Sequence, residues 1–385
     1  MEDIELFKVQ KNVRDFKKES IGFPGNQLSN LNGFYKWLTE SDLCYLAMNN
    51  IGHPFSNTDS FPLSTLRIER KVIELLAPYY EINPSEVWGF VASSGSDGNN
   101  HGLYFGANKL KKETGILPIV YVSKEAHYSI RRLCDLQNLE VRLIDTNKNG
   151  SMDVNDLKNK LDPSRPALLV IAIGSTFLGA IDDQDEIYKV LEEVKPIKYY
   201  IHLDAALFGG YLIFTKYHEI CSRKKHHFDS IAISGHKFFG IDEPCGIFIA
   251  TKEIIEAQKQ FNIEYLNNDM PLISCSRSAL DPLKFYWVLK KVGFDNLKKQ
   301  AEEILANTEY FQEEFDKINY PAWHNECSNT IFFKRVNDDL IKKYNLSCGT
   351  NEFYGGKLNH IVVMQHVNKE IIDSFINDLK ESLKE

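Results

Sequence analysis

Between residues 87 and 250 the chain alternates between short apolar runs and longer segments with the apolar spacing of helices. Apolar runs separated by helical segments are typical of buried strands joined by helical crossovers. The runs occupy 87–92, 118–122, 140–144, 167–173, 198–203, 229–233 and 246–250. This pattern predicts an α/β fold with a mostly parallel, doubly wound sheet. Too few residues separate the last two runs for a helical crossover, so one of those strands should be antiparallel.

Two polar residues with complementary chemistry stand at the ends of these runs. Asp204 follows the run at 198–203, and Lys237 comes shortly after the run at 229–233. Open α/β sheets bind their ligands at such strand ends. A lysine amine can hold the aldehyde of pyridoxal phosphate (PLP) as a Schiff base, and an aspartate can keep the pyridinium nitrogen protonated. Either residue alone is more simply a solvated loop charge, so the interpretation needs a phosphate cradle and a ring-stacking group as well.

Both further elements are present in the sequence. The turn at 93–98 lies between the first apolar run and a helical pattern, and it contains Gly95 and Ser96. A glycine-containing turn at a helix start offers free N–H groups and a favourable helix dipole to a phosphate, although most such turns only cap a helix. His127 follows the next run and could lie flat over a pyridine ring; standing alone, it would be a surface residue at a helix start.

The order of these elements resembles that of one family. Along the chain come the turn at 93–99, Ala126-His127-Tyr128-Ser129, Asp204-Ala205-Ala206 and Ser234-Gly235-His236-Lys237. On these motifs the chain resembles the group II PLP-dependent amino-acid decarboxylases, and within them the short histidine decarboxylases and their serine-decarboxylating relatives. The resemblance covers nearly the whole chain. It implies PLP as the cofactor, the PLP-dependent transferase fold (fold type I) with a smaller C-terminal α+β domain, and a homodimer with shared active sites.

The resemblance also assigns roles to individual residues. Lys237 would be the Schiff-base lysine, Asp204 the partner of the pyridine nitrogen, and His127 the residue stacked on the ring. Ala206 would pack under the ring, and Thr176 would lie close to the face opposite His127. The residues implied around the phosphate are Gly95, Ser96, Ser234 and His236.

The sequence departs from the family pattern in four places. The family turn Asn-Gly-Gly-Thr-Glu-Gly-Asn is Ser-Ser-Gly-Ser-Asp-Gly-Asn at 93–99, which keeps the functional groups. Phe23 and His53 replace Tyr and Asp in segments that the family folds over the substrate. The family segment Gly-Ser-Arg-Asn-Gly-His is Cys-Ser-Arg-Ser-Ala-Leu at 275–280, so its histidine is missing. These departures put the identity of the substrate in question more than the type of reaction. If Phe23 and His53 do not set selectivity, the sequence points to 276–278, reaching in from the other subunit.

Four functions remain open on the sequence alone. The first is decarboxylation of histidine to histamine, and the second is decarboxylation of serine or another small polar amino acid. The third keeps PLP but leads to transamination or oxidative deamination. The fourth is a catalytically silent homologue that only binds a partner, against which the intact Lys237, Asp204 and His127 argue.

Composition and charge limit the classes of binding partner and the cellular compartment that we expect. A net charge of −8 gives no basic footprint for nucleic acid or for an anionic membrane surface. No apolar run approaches the ~18 residues of a spanning helix, and the acidic start predicts no signal peptide. Seven cysteines without CxxC spacing indicate reduced thiols and no zinc site. We therefore expect a cytoplasmic protein without a metal, acting on a small amino-acid substrate.

Three segments are predicted along the chain. Residues 1–60 would pack on the active site, 61–285 would form the large PLP-binding domain, and 286–385 the small C-terminal domain. Two further candidates have simpler interpretations. Asp182-Asp183 resembles a carboxylate pair, but helix capping and first-turn acids explain it better. His101 is expected to be a surface or packing residue of the helix after the phosphate turn.

Overall fold

A computed structural model describes residues 4–17, 19–28, 30–56, 62–258, 262–263 and 268–384. The chain divides into two compact units. The larger unit comprises residues 29–176 and 180–301, and the smaller unit comprises 1–28, 177–179 and 302–385. These bounds differ from those of the three segments expected from the sequence, whose division stays a prediction.

The strands are numbered in chain order. They are β1 (Asn49–Ile51), β2 (Val87–Ala92), β3 (Ile119–Ser123), β4 (Glu140–Ile144), β5 (Ala167–Ala172), β6 (Tyr199–Asp204), β7 (Ser230–Ser234), β8 (Gly246–Thr251), β9 (Asn262–Ile263), β10 (Asn268–Asp269), β11 (Ser276–Ser278), β12 (Ala322–His324), β13 (Thr330–Lys334), β14 (Ser347–Asn351) and β15 (Gly356–Val362).

The α-helices are numbered in the same way. They are α1 (Ile4–Lys17), α2 (Phe34–Glu40), α3 (Leu66–Leu76), α4 (Gly95–Thr114), α5 (Ser129–Leu136), α6 (Val154–Lys160), α7 (Gln184–Val194), α8 (Gly209–Leu212), α9 (Lys252–Glu256), α10 (Leu280–Trp287), α11 (Phe294–Lys317), α12 (Asp338–Tyr344) and α13 (Lys369–Ser382). Short 3₁₀ helices lie at Leu43–Tyr45, Ala77–Tyr80, His218–Cys221 and Glu352–Tyr354, and a π-helical turn at Val288–Val292. Within the described ranges, no helix combines the length and apolarity needed to cross a membrane.

The larger unit is built on a seven-stranded sheet with the order β2-β8-β7-β6-β5-β3-β4. The pairs β3–β4, β3–β5, β5–β6 and β6–β7 are parallel. Strand β8 is antiparallel to both of its neighbours, β2 and β7. The predicted mostly parallel sheet with one antiparallel strand in its closing pair is therefore confirmed.

Burial explains why this sheet could be read from the sequence. Every residue of β2, β3, β5, β7 and β8 is buried. Strands covered on both faces contain continuous apolar runs, because helices exclude water from each side. Phe90, Phe105, Val120, Leu168 and Phe248 belong to one core cluster that joins strands β2, β3, β5 and β8 to helix α4.

The Asp182-Asp183 pair divides into two different roles. Asp183 is the N-cap of α7, and its carboxylate accepts a hydrogen bond from the amide of Glu186 at 3.0 Å. This confirms the capping interpretation for Asp183. Asp182 is instead buried, and its two oxygens accept from the amides of Met152 at 2.7 Å and Ala172 at 2.8 Å. Its carboxylate joins two loops to the end of β5.

The smaller unit contains an antiparallel sheet of order β12-β13-β15-β14 together with helices α12 and α13. The sequence predicts two strands in this unit, near 330–334 and 360–365. The first is β13, and the second is β15, which begins and ends earlier. Strands β12 and β14 were not predicted. The residues of β14 are alternately half-buried and exposed and mostly small and polar, so the strand lacks an apolar signal.

Candidate active site

Lys237 lies in a tight turn after β7. The turn is closed by hydrogen bonds from the amide of Gly235 to the carbonyl of Cys245 at 2.9 Å and from the amide of Ile241 to the carbonyl of Gly235 at 3.2 Å. A Cβ atom at Gly235 would lie 2.3 Å from the ring of Phe285, so only glycine fits there. Burial lowers the pKa of the Lys237 amine, and the charge of Asp204 partly opposes that shift. More of the amine is therefore in its neutral, nucleophilic form.

Asp204 is the last residue of β6 and is buried. One of its carboxylate oxygens accepts a hydrogen bond from the amide of Ala206 at 3.3 Å. The backbone carbonyl of Asp204 accepts from the amide of Ile173, which continues the parallel ladder past the end of β5. The carboxylate therefore has a defined position at the carboxyl edge of the sheet, where ligands of open α/β sheets bind.

His127 lies within electrostatic reach of both residues. Burial lowers the pKa of its imidazole, Asp204 raises it, and Lys237 lowers it further. Its Nδ1 accepts a hydrogen bond from the amide of Ser129 at 3.3 Å and lies 2.8 Å from the hydroxyl of the same residue. The neutral ring therefore carries its proton on Nε2. The structure thus brings together the three residues that the sequence placed on different strand ends.

The turn before α4 is held by hydrogen bonds among its own residues. The hydroxyl of Ser94 accepts a hydrogen bond from the amide of Asp97 at 3.0 Å, and one Asp97 oxygen accepts from the amide and the hydroxyl of Ser93, each at 3.0 Å. Burial alone would raise the pKa of Asp97, but hydrogen bonds from His101 and Ser93 outweigh it and lower the pKa to about 2. Within the described residues, no hydrogen bond engages the amides of Gly95 and Ser96, which leaves two donors at the helix start for an anion.

Gly95 marks the place where the turn meets the strand ends. A Cβ atom at this residue would lie 2.4 Å from the Ser234 hydroxyl oxygen and 3.2 Å from the Cβ of Ala206. Because Gly95 has no side chain, a cradle remains between the start of α4, the end of β7 and Ala206. Free amides and a hydroxyl around this space suit a phosphate group.

The remaining two predicted residues are placed less tightly. His236 is half-buried, with its Nδ1 3.4 Å from the carbonyl of Cys245. Burial lowers the pKa of its imidazole, and the charge of Lys237 lowers it further. Thr176 is exposed in the turn after β5. No described contact joins Thr176 to Lys237, so its proximity to the cofactor stays a prediction.

Comparisons with known proteins assign the chain to a family. Residues 108–324 match the family described as the pyridoxal-dependent decarboxylase conserved domain. The chain belongs to this family. The decarboxylase is 32% identical to the histidine decarboxylase of Solanum lycopersicum, across 98% of this chain and 88% of that protein. It is 31% identical to serine decarboxylase 1 of Oryza sativa subsp. japonica, across 97% of this chain and 74% of that protein.

A solved structure shows the same fold as the decarboxylase. L-methionine decarboxylase from Streptomyces sp. 590 matches it with a TM-score of 0.82 at 18% sequence identity, across 98% of this chain and 94% of that one. Family and fold together confirm fold type I, PLP as the cofactor and decarboxylation of an amino acid as the reaction. The cradle at Gly95 and the half-buried Lys237 with its lowered pKa fit this cofactor.

The departures from the family pattern have distinct positions in the decarboxylase. His53 accepts a hydrogen bond on Nδ1 from the indole of Trp88 at 3.3 Å, beside edge strand β2. Phe23 is half exposed in the smaller unit. The Ser278 hydroxyl accepts from the amide of Asp281 at the start of α10. The predicted influence of Phe23 and His53 on selectivity stays a prediction.

Sequence reasoning missed the role of Arg277. Its guanidinium is buried in its own unit, and the expectation that the segment 276–278 reaches in from another subunit stays a prediction. Arg277 pairs with Glu69 and donates to the carbonyl of Gly52 at 2.9 Å. No local signal marks the pair, since its members are 208 positions apart and charged residues are usually exposed.

His101 is a buried packing residue, as one of the two expected alternatives stated. Its Nε2 accepts a hydrogen bond from the amide of Ile273 at 3.1 Å, and its Nδ1 lies 2.8 Å from the carbonyl of Asp97. The ring therefore carries its proton on Nδ1 and joins the phosphate turn to the segment before β11. The helical spacing of a lone histidine cannot show such contacts.

Proposed function

We propose that this decarboxylase converts L-histidine to histamine and CO₂. The observation that carries the chemistry is the electrostatic grouping of Lys237, Asp204 and His127 at the carboxyl edge of the sheet. Support for histidine as the substrate is the 32% identity to a histidine decarboxylase along 88% of that protein's length. L-serine is the second candidate, because a serine decarboxylase is 31% identical over nearly all of this chain.

We assign the catalytic roles from the chemistry of each side chain. The ε-amine of Lys237 would hold the cofactor and later release the amine product. The carboxylate of Asp204 would keep the pyridine nitrogen protonated, and the imidazole of His127 would stack on the ring. Bound PLP supplies an electron sink for the electron pair left when CO₂ departs. A group near His127, or one from a partner subunit, returns a proton to Cα.

The remaining assignments hold and orient the cofactor. Gly95, Ser96, Ser234 and His236 would surround its phosphate, and the free amides at the start of α4 would donate to the phosphate oxygens. Ala206 would pack under the ring. Thr176 would lie close to the face opposite His127. Support for the phosphate group is the distance of 2.4 Å between a Cβ built at Gly95 and the Ser234 oxygen, which only an unsubstituted glycine tolerates.

The substrate is tested by incubating the purified protein and PLP with each of the twenty amino acids and following both CO₂ and the amine. We expect histamine from histidine with the highest kcat/KM. Ethanolamine from serine as the faster reaction would contradict the histidine assignment and leave the reaction type intact. Carbonyl products without CO₂ would contradict decarboxylation itself.

We also propose a homodimer. Helix α1 exposes Val9, Val13 and Phe16, each between 49% and 62% accessible, at the spacing of one helical stripe. An apolar stripe of this kind is stable in water when another chain covers it. Sedimentation equilibrium should give twice the chain mass, and Val9→Asp with Val13→Asp should lower that mass. Lys8→Asp on the same helix is the control. A monomeric wild type would contradict the proposal.

A cytoplasmic location is proposed on the state of the thiols. All seven cysteines lie in described ranges, and none of them forms a disulfide. Reduced thiols are typical of a reducing compartment. Cell fractionation with thiol labelling tests this: recovery in the cytosolic fraction with seven reactive thiols after unfolding is expected, and recovery with extracellular protein would contradict it.

A further inference from the structure

Helix α4 lies directly on strands β6 and β7 through residues without side chains. A Cβ atom at Gly102 would lie 2.4 Å from the imidazole of His202, and one at Gly98 would lie 2.9 Å from the Cβ of Ala232. A Cβ at Gly106 would lie 2.7 Å from the ring of Tyr200. With Gly95, these glycines form one face of the helix, so its backbone approaches the sheet more closely than any side chain would allow.

A network of buried hydrogen bonds joins helix α4 to strands β6 and β7 where they lie in contact. The hydroxyl of Tyr200 donates to the hydroxyl oxygen of Ser230 at 2.8 Å. The hydroxyl of Ser230 lies 2.8 Å from Nδ1 of His202, and Nε2 of His202 lies 2.9 Å from the side-chain oxygen of Asn99. Because Ser230 accepts from Tyr200, its own proton points to Nδ1, and His202 donates to Asn99 through Nε2–H.

The hydrogen bonds of this network run in one direction, and its histidine, His202, has one protonation state. Burial lowers the pKa of His202 to about 4, although the charge of Asp204 and a hydrogen bond with Ser230 raise it. The ring is therefore neutral at neutral pH, with a single tautomer. A buried polar network whose members are all satisfied makes a contact rigid, whereas an apolar residue would fill the same space without fixing an orientation.

The positions of its two ends connect the network to the site. Asn99 lies in the second turn of α4, four residues after Gly95. His202 lies two residues before Asp204 on β6, so the two side chains are on the same face of the strand. We propose that His202 is a positioning residue that sets the start of α4 relative to Asp204, so that the cofactor's phosphate and ring nitrogen are engaged together. This inference rests on the proposed roles of Gly95 and Asp204.

Two substitutions of His202 separate its two hydrogen bonds. In His202→Gln the amide nitrogen can occupy the position of Nε2 and keep the bond to Asn99. In His202→Asn the shorter side chain reaches only the position of Nδ1, so the bond to Asn99 is lost. For each variant, the dissociation constants of PLP and of pyridoxal, which lacks the phosphate, are measured on the apoprotein by absorbance.

The expected result is a change in the preference for PLP over pyridoxal. His202→Asn should lower this preference about tenfold, as for one lost buried hydrogen bond, while pyridoxal affinity stays within about twofold. His202→Gln should keep most of the preference. Tyr121→Phe is the control for stability, because it removes a buried hydroxyl that accepts from the amide of Asp162 elsewhere in the sheet. It should leave the preference unchanged.

Other outcomes would contradict either the positioning role of His202 or the proposed phosphate site, and the two cases can be told apart. An unchanged preference in His202→Asn, with only a lower melting temperature, would overturn the positioning role. If His202→Asn does not fold, Asn99→Ala breaks the same bond from the helix side and is judged by the same criterion. A wild type that binds PLP no better than pyridoxal would contradict the proposed phosphate site instead.

Discussion

Arg277 and Glu69 form an ion pair that is almost completely buried beside the outer edge of strand β2. Glu69 accepts a hydrogen bond from the amide of Val91 at 2.7 Å, and Arg277 donates to the carbonyl of the same residue at 3.1 Å. The two side chains therefore satisfy backbone groups that the edge of a sheet would otherwise leave unpaired. Val91 lies just before the phosphate turn, so the pair also holds the strand that leads into the site.

The first prediction concerns this ion pair. Glu69→Gln leaves a buried guanidinium without its counter-charge and should lower the free energy of unfolding by about 3–5 kcal/mol. Urea unfolding measures the loss. Lys189→Gln removes the partner of an exposed ion pair with Glu186 and should cost no more than ~1 kcal/mol. Equal losses in the two variants would show that the Arg277–Glu69 pair contributes little.

Lys237→Ala should abolish turnover and the visible absorbance of the bound cofactor while the protein stays folded. The reason is that, among the lysines that the structure describes, Lys237 alone combines a lowered pKa with a place beside Asp204. Lys124→Ala is a matched control, because Lys124 also follows a strand of the same sheet but is exposed and paired with Asp145. Full activity of Lys237→Ala, or an unchanged absorbance band, would remove the assignment.

Asp204→Asn should still bind PLP but turn over more slowly. A neutral amide cannot keep the pyridine nitrogen protonated, so kcat should fall on the order of 10²–10³-fold, as when one electrostatic stabiliser of a transition state is lost. Single-turnover kinetics of the loaded enzyme measure this. Asp183→Asn, which retains a capping side chain on α7, should keep wild-type kcat. Weaker PLP binding with unchanged kcat would make Asp204 purely structural.

The phosphate turn should depend more on its backbone than on its hydroxyl. Ser96→Ala should weaken PLP binding by ~1.5–3 kcal/mol, the contribution of one hydrogen bond to a charged group. Gly95→Ala should weaken it more, because the added Cβ would lie 2.4 Å from the Ser234 oxygen and fill the cradle. Equilibrium titration of the apoprotein compares the two. A larger loss for Ser96→Ala than for Gly95→Ala would contradict a backbone cradle.

Asp182 should make stability depend on pH in the acidic range. Burial raises its pKa from 3.8 to about 6, despite two backbone hydrogen bonds that lower it. The folded protein therefore binds this proton more tightly than the unfolded chain, so the contribution is fully present below pH ~4 and is lost as pH rises through about 6. The full change is about 3 kcal/mol, of which roughly half falls between pH 5 and pH 7.5.

The measurement is the difference in unfolding free energy between the wild type and Asp182→Asn at several pH values. The wild type should lose stability relative to the variant as pH rises from 5 to 7.5. A difference that stays constant over this range would show that Asp182 has an ordinary pKa in the folded protein.

The sequence by itself determined the large sheet and the order of the motifs along it. Strands such as β5 and β7 are buried at every position, and a strand covered on both faces must be apolar throughout, so it stands out from its neighbours. Asp204 and Lys237 were visible as candidates because Asp204 ends one apolar run and Lys237 comes shortly after another. The parallel arrangement then carries both to the same edge.

Only the tertiary structure decided which distant residues meet. Arg277 pairs with Glu69 across 208 positions, and His202 meets Asn99 across 103. Such contacts leave no periodic trace in the sequence, because they depend on how closely two elements approach. The glycines of α4 permit that approach, yet glycine spacing alone does not reveal which strand lies opposite. Local patterns follow from burial, whereas the polar partners of buried groups follow from the packing of segments far apart in the chain.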